Sequence, residues 1–315
     1  MIVRETVGKI DLAIGRNEAP VLAYMEKENS DYAQKSLKNK LYNVVKSKHY
    51  AESIGGLSGI GDFQQTQGAV PYETFEELAT KTFIHKTFKK GVEIERELID
   101  DSRLIDMKNR SSALIGAANR TMEKFVHAPF VYAAATSFSL ADGTFSAVGS
   151  DRLSLVHAAH TSHTGKGANQ SNKVAVAFGV DSLKTAEEAM IGFKTDIGEK
   201  SNATPTTLFV PYALRNEAYE ICASMGKLNT GDNNANPYES KYDIIVSSWL
   251  DNMGLTTKAF LIDESYMKKC LFWIDRMPLE IASQKDFNTD VWQIKGYMRY
   301  SLGFTDWRWV VGINF

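Results

Sequence analysis

The sequence predicts a protein of mixed helix and strand, and three observations carry that reading. A helical spacing of apolar residues runs without a break from about residue 102 to Pro129, which is long for a helix in a globular domain. Before it, residues 92–98 alternate apolar with charged side chains, the pattern of a half-buried strand. After residue 150 short helix and strand patterns are interspersed, ending in two aromatic strands at Val291–Leu302 and Trp307–Ile313. A chain of 315 residues is large enough to bury a sizeable core, as two domains or as one domain with extensions.

Composition narrows the class. Apolar residues make up 43% and charged residues 23%, as in ordinary folded proteins, and a net charge of −2 advertises no global affinity for nucleic acid. Cys222 and Cys270 are too few for a disulfide framework or a thiolate metal site, and both read as reduced core thiols. Met1–Arg16 lacks an apolar signal core. The stretch Ala128–Ala141 is too short to span a bilayer, so no membrane partner is expected.

In chain order, residues 1–61 read as an N-terminal arm and hinge. Leu37, Leu41, Val44 and Val45 have helical spacing within Asp31–His49. Lys35, Lys38, Lys40, Lys46 and Lys48 would then form a basic face, against one acid, Asp31. That face suits either solvent or an acidic partner such as nucleic acid. Gly55, Gly56, Gly59 and Gly61 fit no phosphate-binding spacing and read as a hinge. Residues 62–99 read as an extended hairpin, with Gly91 turning between Thr82–Phe88 and Val92–Ile99. Two strands alone are marginally stable in water, so this hairpin needs a partner surface. Its charges segregate into Glu73, Glu76 and Glu77, then Lys81, Lys86, Lys89 and Lys90, then Glu93, Glu95 and Glu97, which suits docking on a neighbour in one register. The contacts would come from Phe83, Ile84, Lys86, Phe88, Lys89, Lys90, Val92 and Ile94. Ser102 or Asp101 is placed to cap the long helix, and Asp181 a later one. Thr206–Val210, Asp243–Trp249, Lys258–Ile262 and Cys270–Ile274 read as strands, and Pro211 as the start of a helix.

A search for catalytic chemistry finds one constellation, His157, His160 and His163. Three imidazoles suit zinc, but on a helix the third would be rotated away from the first. The nearby ligand-type acid is only Asp151, and no His-Glu-x-x-His motif occurs. Loop or structural histidines are the simpler reading, with no cofactor and no catalytic residue assigned.

The ordered series of segments resembles the major capsid proteins of tailed bacteriophages, particularly the Mu-like head subunit group. The resemblance covers about residues 60–315. It lies in the run Thr82–Ile99 into Asp100-Asp-Ser102 and the long helix, and in Leu155-Val-His-Ala-Ala-His160 followed by Gln170-Ser-Asn172. It continues in Ala203-Thr-Pro-Thr-Thr-Leu-Phe-Val-Pro-Tyr-Ala-Leu214 and ends in Gly296–Gly312. It implies an α+β fold of Hong Kong 97 type. The spine helix and peripheral domain would occupy 100–150, an axial domain 151–275, and C-terminal strands returning to the peripheral sheet 276–315. It also implies a shell-building protein and not an enzyme, assembling with itself as hexamers and pentamers in the host bacterial cytoplasm. The icosahedral or prolate virion head would enclose double-stranded DNA, with a scaffolding protein and a portal as further partners. Only about 60 residues precede the extended loop, so the scaffold is expected to be a separate protein. Lys35, Lys38, Lys46 and Lys48 would face the shell interior or the scaffold. Some lineages crosslink Lys to Asn, but no residue pattern here fixes such a pair. Two competing readings are an encapsulin-like nanocompartment, distinguished by a cargo enzyme in place of portal and terminase genes nearby, and a metal-dependent enzyme built on the three histidines, distinguished by metal analysis.

Overall fold

The structure is a computed structural model describing residues 2–315 except 57–61, 64, 66, 67, 69, 71, 73, 75–78, 102, 166, 225–235 and 287, with only the backbone described for 2–18. Helix α1 spans Ile2–Lys35. Val21 and Met25 on it are wholly buried in a small core shared with Ile94, Leu114, Ile115, Trp292 and Ile294. After one short helical turn, α2 (Lys38–Leu41), the chain becomes strand β1 (Asn43–Lys46). The helix expected over Asp31–His49 therefore breaks. The adjacent β-branched Val44 and Val45 favour a strand, and burial of Leu41 and Tyr42 outweighs the helical spacing. The Tyr42 ring meets Trp273 edge-on at 5.7 Å, and its hydroxyl donates to the Val126 carbonyl at 2.7 Å.

Strands β2 (Ala51–Ile54) and β3 (Lys81–Ile84) pair antiparallel and bracket residues 55–80. Strand β4 (Lys86–Ile94) follows after His85. It pairs throughout with a later strand, from Lys86 opposite Tyr300 to Ile94 opposite Trp292. The expected hairpin turning at Gly91 is thus not formed: Gly91 lies mid-strand opposite Lys295. The partner surface that the alternating run required is supplied by this subunit's own sheet.

Helix α3 (Arg96–Asp100) precedes the long helix α4 (Leu104–Val131). Asp101 ends α3, and α4 begins at Arg103 without a side-chain cap, so the predicted capping role of Asp101 is not realised; Ser102 lies outside the described residues. Helix α4 also runs through Pro129 to Val131. A proline this close to the helix end removes a single N–H, and the complete burial of Ala128 and Phe130 holds the last turn. Strands β5 (Ser137–Leu140) and β6 (Gly143–Ser146) form a hairpin. Its turn residues Ala141 and Asp142 have φ of 49° and 59°, the backbone of a type I′ turn.

Strand β7 (Lys173–Val174) leads to α5 (Val180–Ile191), which is capped by Gly179 and Ser182; Asp181 lies inside the first turn. Strand β8 (Thr207–Pro211) and a 3-10 turn at Tyr212–Leu214 run into α6 (Arg215–Ala223). Then come β9 (Asp243–Ser247), α7 (Ser248–Asn252), β10 (Ala259–Ile262) and α8 (Glu264–Cys270). The chain closes with β11 (Leu271–Lys285), β12 (Trp292–Phe304) and β13 (Val310–Ile313).

Two sheets carry the architecture, in the orders β1-β11-β12-β4 and β7-β13-β10-β8-β9. Helices α1 and α4 pack together, and α4 lies on the first sheet. In the second, every residue of β8, β10 and β13 is buried, which is why they read as continuous apolar runs. The C-terminal strands were expected to return together to one sheet. Instead β12 stays in the first sheet while β13 crosses to the second, between β10 and β7. Burial of Trp309, Val310, Val311 and Ile313 drives the crossing.

Candidate assembly interface

Of the eight residues expected to contact a neighbouring subunit, Phe83 and Ile94 are corrected: they are 2% and 0% exposed within this subunit. Phe88 and Val92 are half-buried. Phe88 stacks on Tyr300 at 4.8 Å and meets Phe125 edge-on at 5.1 Å. Ile84, Lys86, Lys89 and Lys90 stand exposed. Alternation along β4 explains only part of the split: Phe88, Val92 and Ile94 share one face with Lys86 and Lys90, which stay exposed, while Lys89 and Glu93 point to the other.

Strand β4 is the last strand of its sheet, so its outer edge lacks a strand partner among the described residues. Between α4 and the sheet face lies a groove of about 350 Å³, lined by Leu114, Ala117 and Ala118 of α4, by Lys89 and Lys90 of β4, by Gly296 and Met298 of β12 and Leu279 of β11, and by the β5–β6 turn at Ala141 and Asp142. Among the described residues no carboxylate forms an ion pair with Lys86, Lys89 or Lys90. An exposed edge of this length invites pairing with another chain, and lysines are a common means of limiting which chain.

The expected basic N-terminal face is dispersed by the break after Lys35. Lys35, Lys46 and Lys48 remain exposed. Lys38 is corrected: its ammonium pairs with Asp275 at 2.7 Å and lies 4.7 Å from the Trp273 ring centroid, pinning α2 to β11.

The three histidines do not converge. His160 is buried, with Nδ1 2.7 Å from Asp151, Nε2 3.2 Å from the Asn172 side-chain oxygen, and its ring stacked on Trp307 at 4.1 Å. His157 Nδ1 accepts from the Ala159 amide, and His163 is exposed. Among the described residues no three potential metal ligands gather. His160 instead ties the 151–172 segment to the C-terminal region. Nearby, Arg308 joins the same region through ion pairs to Asp196 at 3.0 Å and Asp306 at 2.7 Å.

One histidine that the sequence reading did not single out, His127, is wholly buried on α4. Its Nδ1–H donates to the Glu123 carbonyl at 2.8 Å, and Nε2 accepts from the Ser247 hydroxyl at 2.8 Å. Burial favours the neutral ring and pulls the pKa down to about 4. Burial pushes the Glu123 carboxyl up, against a hydrogen bond from Ser36. A lone histidine within a helical pattern gives no sequence signal for this, because the Ser247 partner lies 120 residues away.

Comparison with known proteins gives a consistent result. A family model described as phage capsid protein matches residues 79–313. No curated protein matches the sequence. Among solved structures, one from Microbacterium phage Oxtober96 superposes with a TM-score of 0.53 at 14% identity, covering 88% of this chain and 90% of that one. The mature capsid of bacteriophage PhiM1 gives 0.53 at 10% identity, with 88% and 86% covered. The capsid of an empty GTA particle gives 0.53 at 13% identity, with 88% of each chain covered. These likenesses place the α+β architecture in the Hong Kong 97-type capsid fold.

Proposed function

The chain belongs to the phage capsid protein family, and on that premise we propose that this major capsid shell protein builds the head of a tailed phage around double-stranded DNA. The observation that carries the reading is the family match over residues 79–313, which takes in the long helix, the second sheet and all of the first sheet but β1. The role is structural and not enzymatic. The subunits would associate as hexamers and pentamers in the host cytoplasm, with a scaffolding protein and a portal as partners. Interfaces that must form many times and correct errors suit exposed charged surface, since such contacts are individually weak. The β4 edge with Lys86, Lys89 and Lys90 supplies surface of this kind. Lys35, Lys46 and Lys48 would face the shell interior, where nonspecific contact with phosphate needs only exposed cations. The peripheral part would be the first sheet with α4, and the axial part the second sheet.

The test is negative-stain microscopy of the protein expressed with its neighbouring genes. Closed shells of uniform size are expected; soluble monomers under every condition, or shells filled with a cargo enzyme, would contradict the proposal.

A further inference from the structure

We propose that the cleft between α1, α4 and the first sheet binds a small primary ammonium carried on a short alkyl chain. The site is independent of the shell reading above. The cleft measures about 190 Å³ and is lined by Tyr32 and Ala33 of α1, Asn119 and Glu123 of α4, and Met298 and Tyr300 of β12.

Three observations carry the proposal. The first is a missing positive charge. The Glu123 side chain is only 16% exposed, and Ser36 donates a hydrogen bond to it, but no cation among the described residues neutralises it. His127 Nδ1 lies 3.8 Å from its carboxylate, yet with a pKa of about 4 that ring is neutral at pH 7. Lys38, which also lines the cleft, is held by Asp275 at 2.7 Å, and Asp275 accepts in addition from Trp273 Nε1 at 2.6 Å. Two carboxylates against one ammonium leave one negative charge, and a buried charge without a partner is costly. The second observation is a pair of orphaned polar groups. Asn119 and Tyr300 are 5% and 3% exposed, and neither the Asn119 amide nitrogen nor the Tyr300 hydroxyl has a hydrogen-bond partner among the described residues. Buried polar groups are normally paired, so two orphans beside one cavity mark the place of a ligand. The third is the remaining wall, where Met122, Met277 and Met298 place thioethers beside Leu279. Such a wall adapts to a methylene chain. It does not suit a hydrated divalent ion, which takes several oxygen ligands.

In this site the ammonium donates to the Glu123 carboxylate and to the Tyr300 hydroxyl oxygen. The Asn119 amide can turn either its oxygen or its nitrogen toward the ligand. The alkyl chain lies along the methionines. At roughly 30 Å³ per water, the cleft equals about six waters, room for a chain of about four carbons.

The test is isothermal titration calorimetry of the full chain with n-butylammonium chloride at constant ionic strength. Saturable binding of one molecule per chain is expected, about tenfold or more tighter than 1-butanol, which has the same chain without the charge. Glu123→Gln keeps the volume and removes the charge, and it should weaken binding about tenfold or more. Ala33→Trp leaves every polar group in place but fills the cleft from its exposed α1 side, and should weaken binding as much. Circular dichroism verifies that each variant is folded; if Glu123→Gln is not, Ala33→Trp decides. Trp273, stacked on Tyr300 at 4.5 Å, gives a second readout, since its fluorescence should change on binding. No saturable binding to the wild type, equal binding of 1-butanol, or unchanged affinity in a folded variant would overturn the proposal.

Discussion

His127 shows how a single residue links burial to solution behaviour. Its ring is neutral in the folded state, with a pKa of about 4 against an ordinary value of 6.5. The unfolded chain therefore binds the extra proton first, between pH 6.5 and 4, and the folded state loses stability as pH falls through that window. The full loss is on the order of 3 kcal/mol, at about 1.4 kcal/mol for each tenfold change in proton affinity. Glu123 acts with the opposite sign, since its raised pKa favours protonation in the folded state and stabilises on acidification. Chemical denaturation at pH 7, 6 and 5 should show the wild-type midpoint falling, and His127→Gln should be destabilised at pH 7 but show a flatter dependence. An equal slope in both proteins would remove His127 as the cause. Gly312 is a second test at this scale. A Cβ there would lie 2.8 Å from both Phe315 and Val156 side-chain carbons, so Gly312→Ala should cost about 1–3 kcal/mol by overpacking, measured as a change in denaturation midpoint.

Among the elements, β4 and the N-terminal segment decide what the molecule offers to others. Strand β4 is paired on one side by β12 and open on the other, so its outward amides should exchange quickly in free subunits and slowly in shells. Amides of β8 and β10 should be protected in both states, because these strands are wholly buried. Equal protection of β4 before and after assembly would argue against an interface there. In the N-terminal segment the exposed cations include Lys35, Lys40, Lys46 and Lys48, while Lys38 is occupied by Asp275. Replacing Lys35, Lys46 and Lys48 with Gln should change subunit stability by less than about 1 kcal/mol each while lowering the DNA content of purified heads. Replacing Lys38 should instead loosen α2 from β11, read as faster exchange of the β1 amides.

Over the whole molecule the two sheets share one core. Buried residues run continuously from Trp273 and Tyr300 in the first sheet and Tyr42 just before β1, through Phe125 and Phe130 of α4, to Phe209 and Phe260 in the second sheet and Trp309 just before β13. Phe130 touches Phe209, Phe260 and Trp309 with edge-on rings at 4.9–5.9 Å. The free subunit should therefore unfold in one transition, with tryptophan fluorescence and far-UV circular dichroism superimposing against denaturant. Two separated transitions would mean that α4 fails to couple the sheets.

What the sequence determined by itself follows from local chemistry. The long helix was legible because its apolar spacing persists from Leu104 to Phe125 with no proline and a single glycine, Gly116, and β8, β10 and β12 because β-branched and aromatic runs have a strong preference for sheet. Capsid-fold membership was legible in the order of such segments, which the family match confirms. Tertiary structure decided which elements paired. Gly91 looked like a turn because glycine permits one, yet β12 lay alongside and drew it into a continuous strand. The lysine spacing over 35–48 looked like one helical face, yet burial of Leu41 and Tyr42 against α4 and β11 broke the helix. His160 could not be told from a metal ligand until Asp151, Asn172 and Trp307 were seen around it. Strand pairing and buried polar contacts depend on partners far along the chain, and no local pattern encodes which partner arrives.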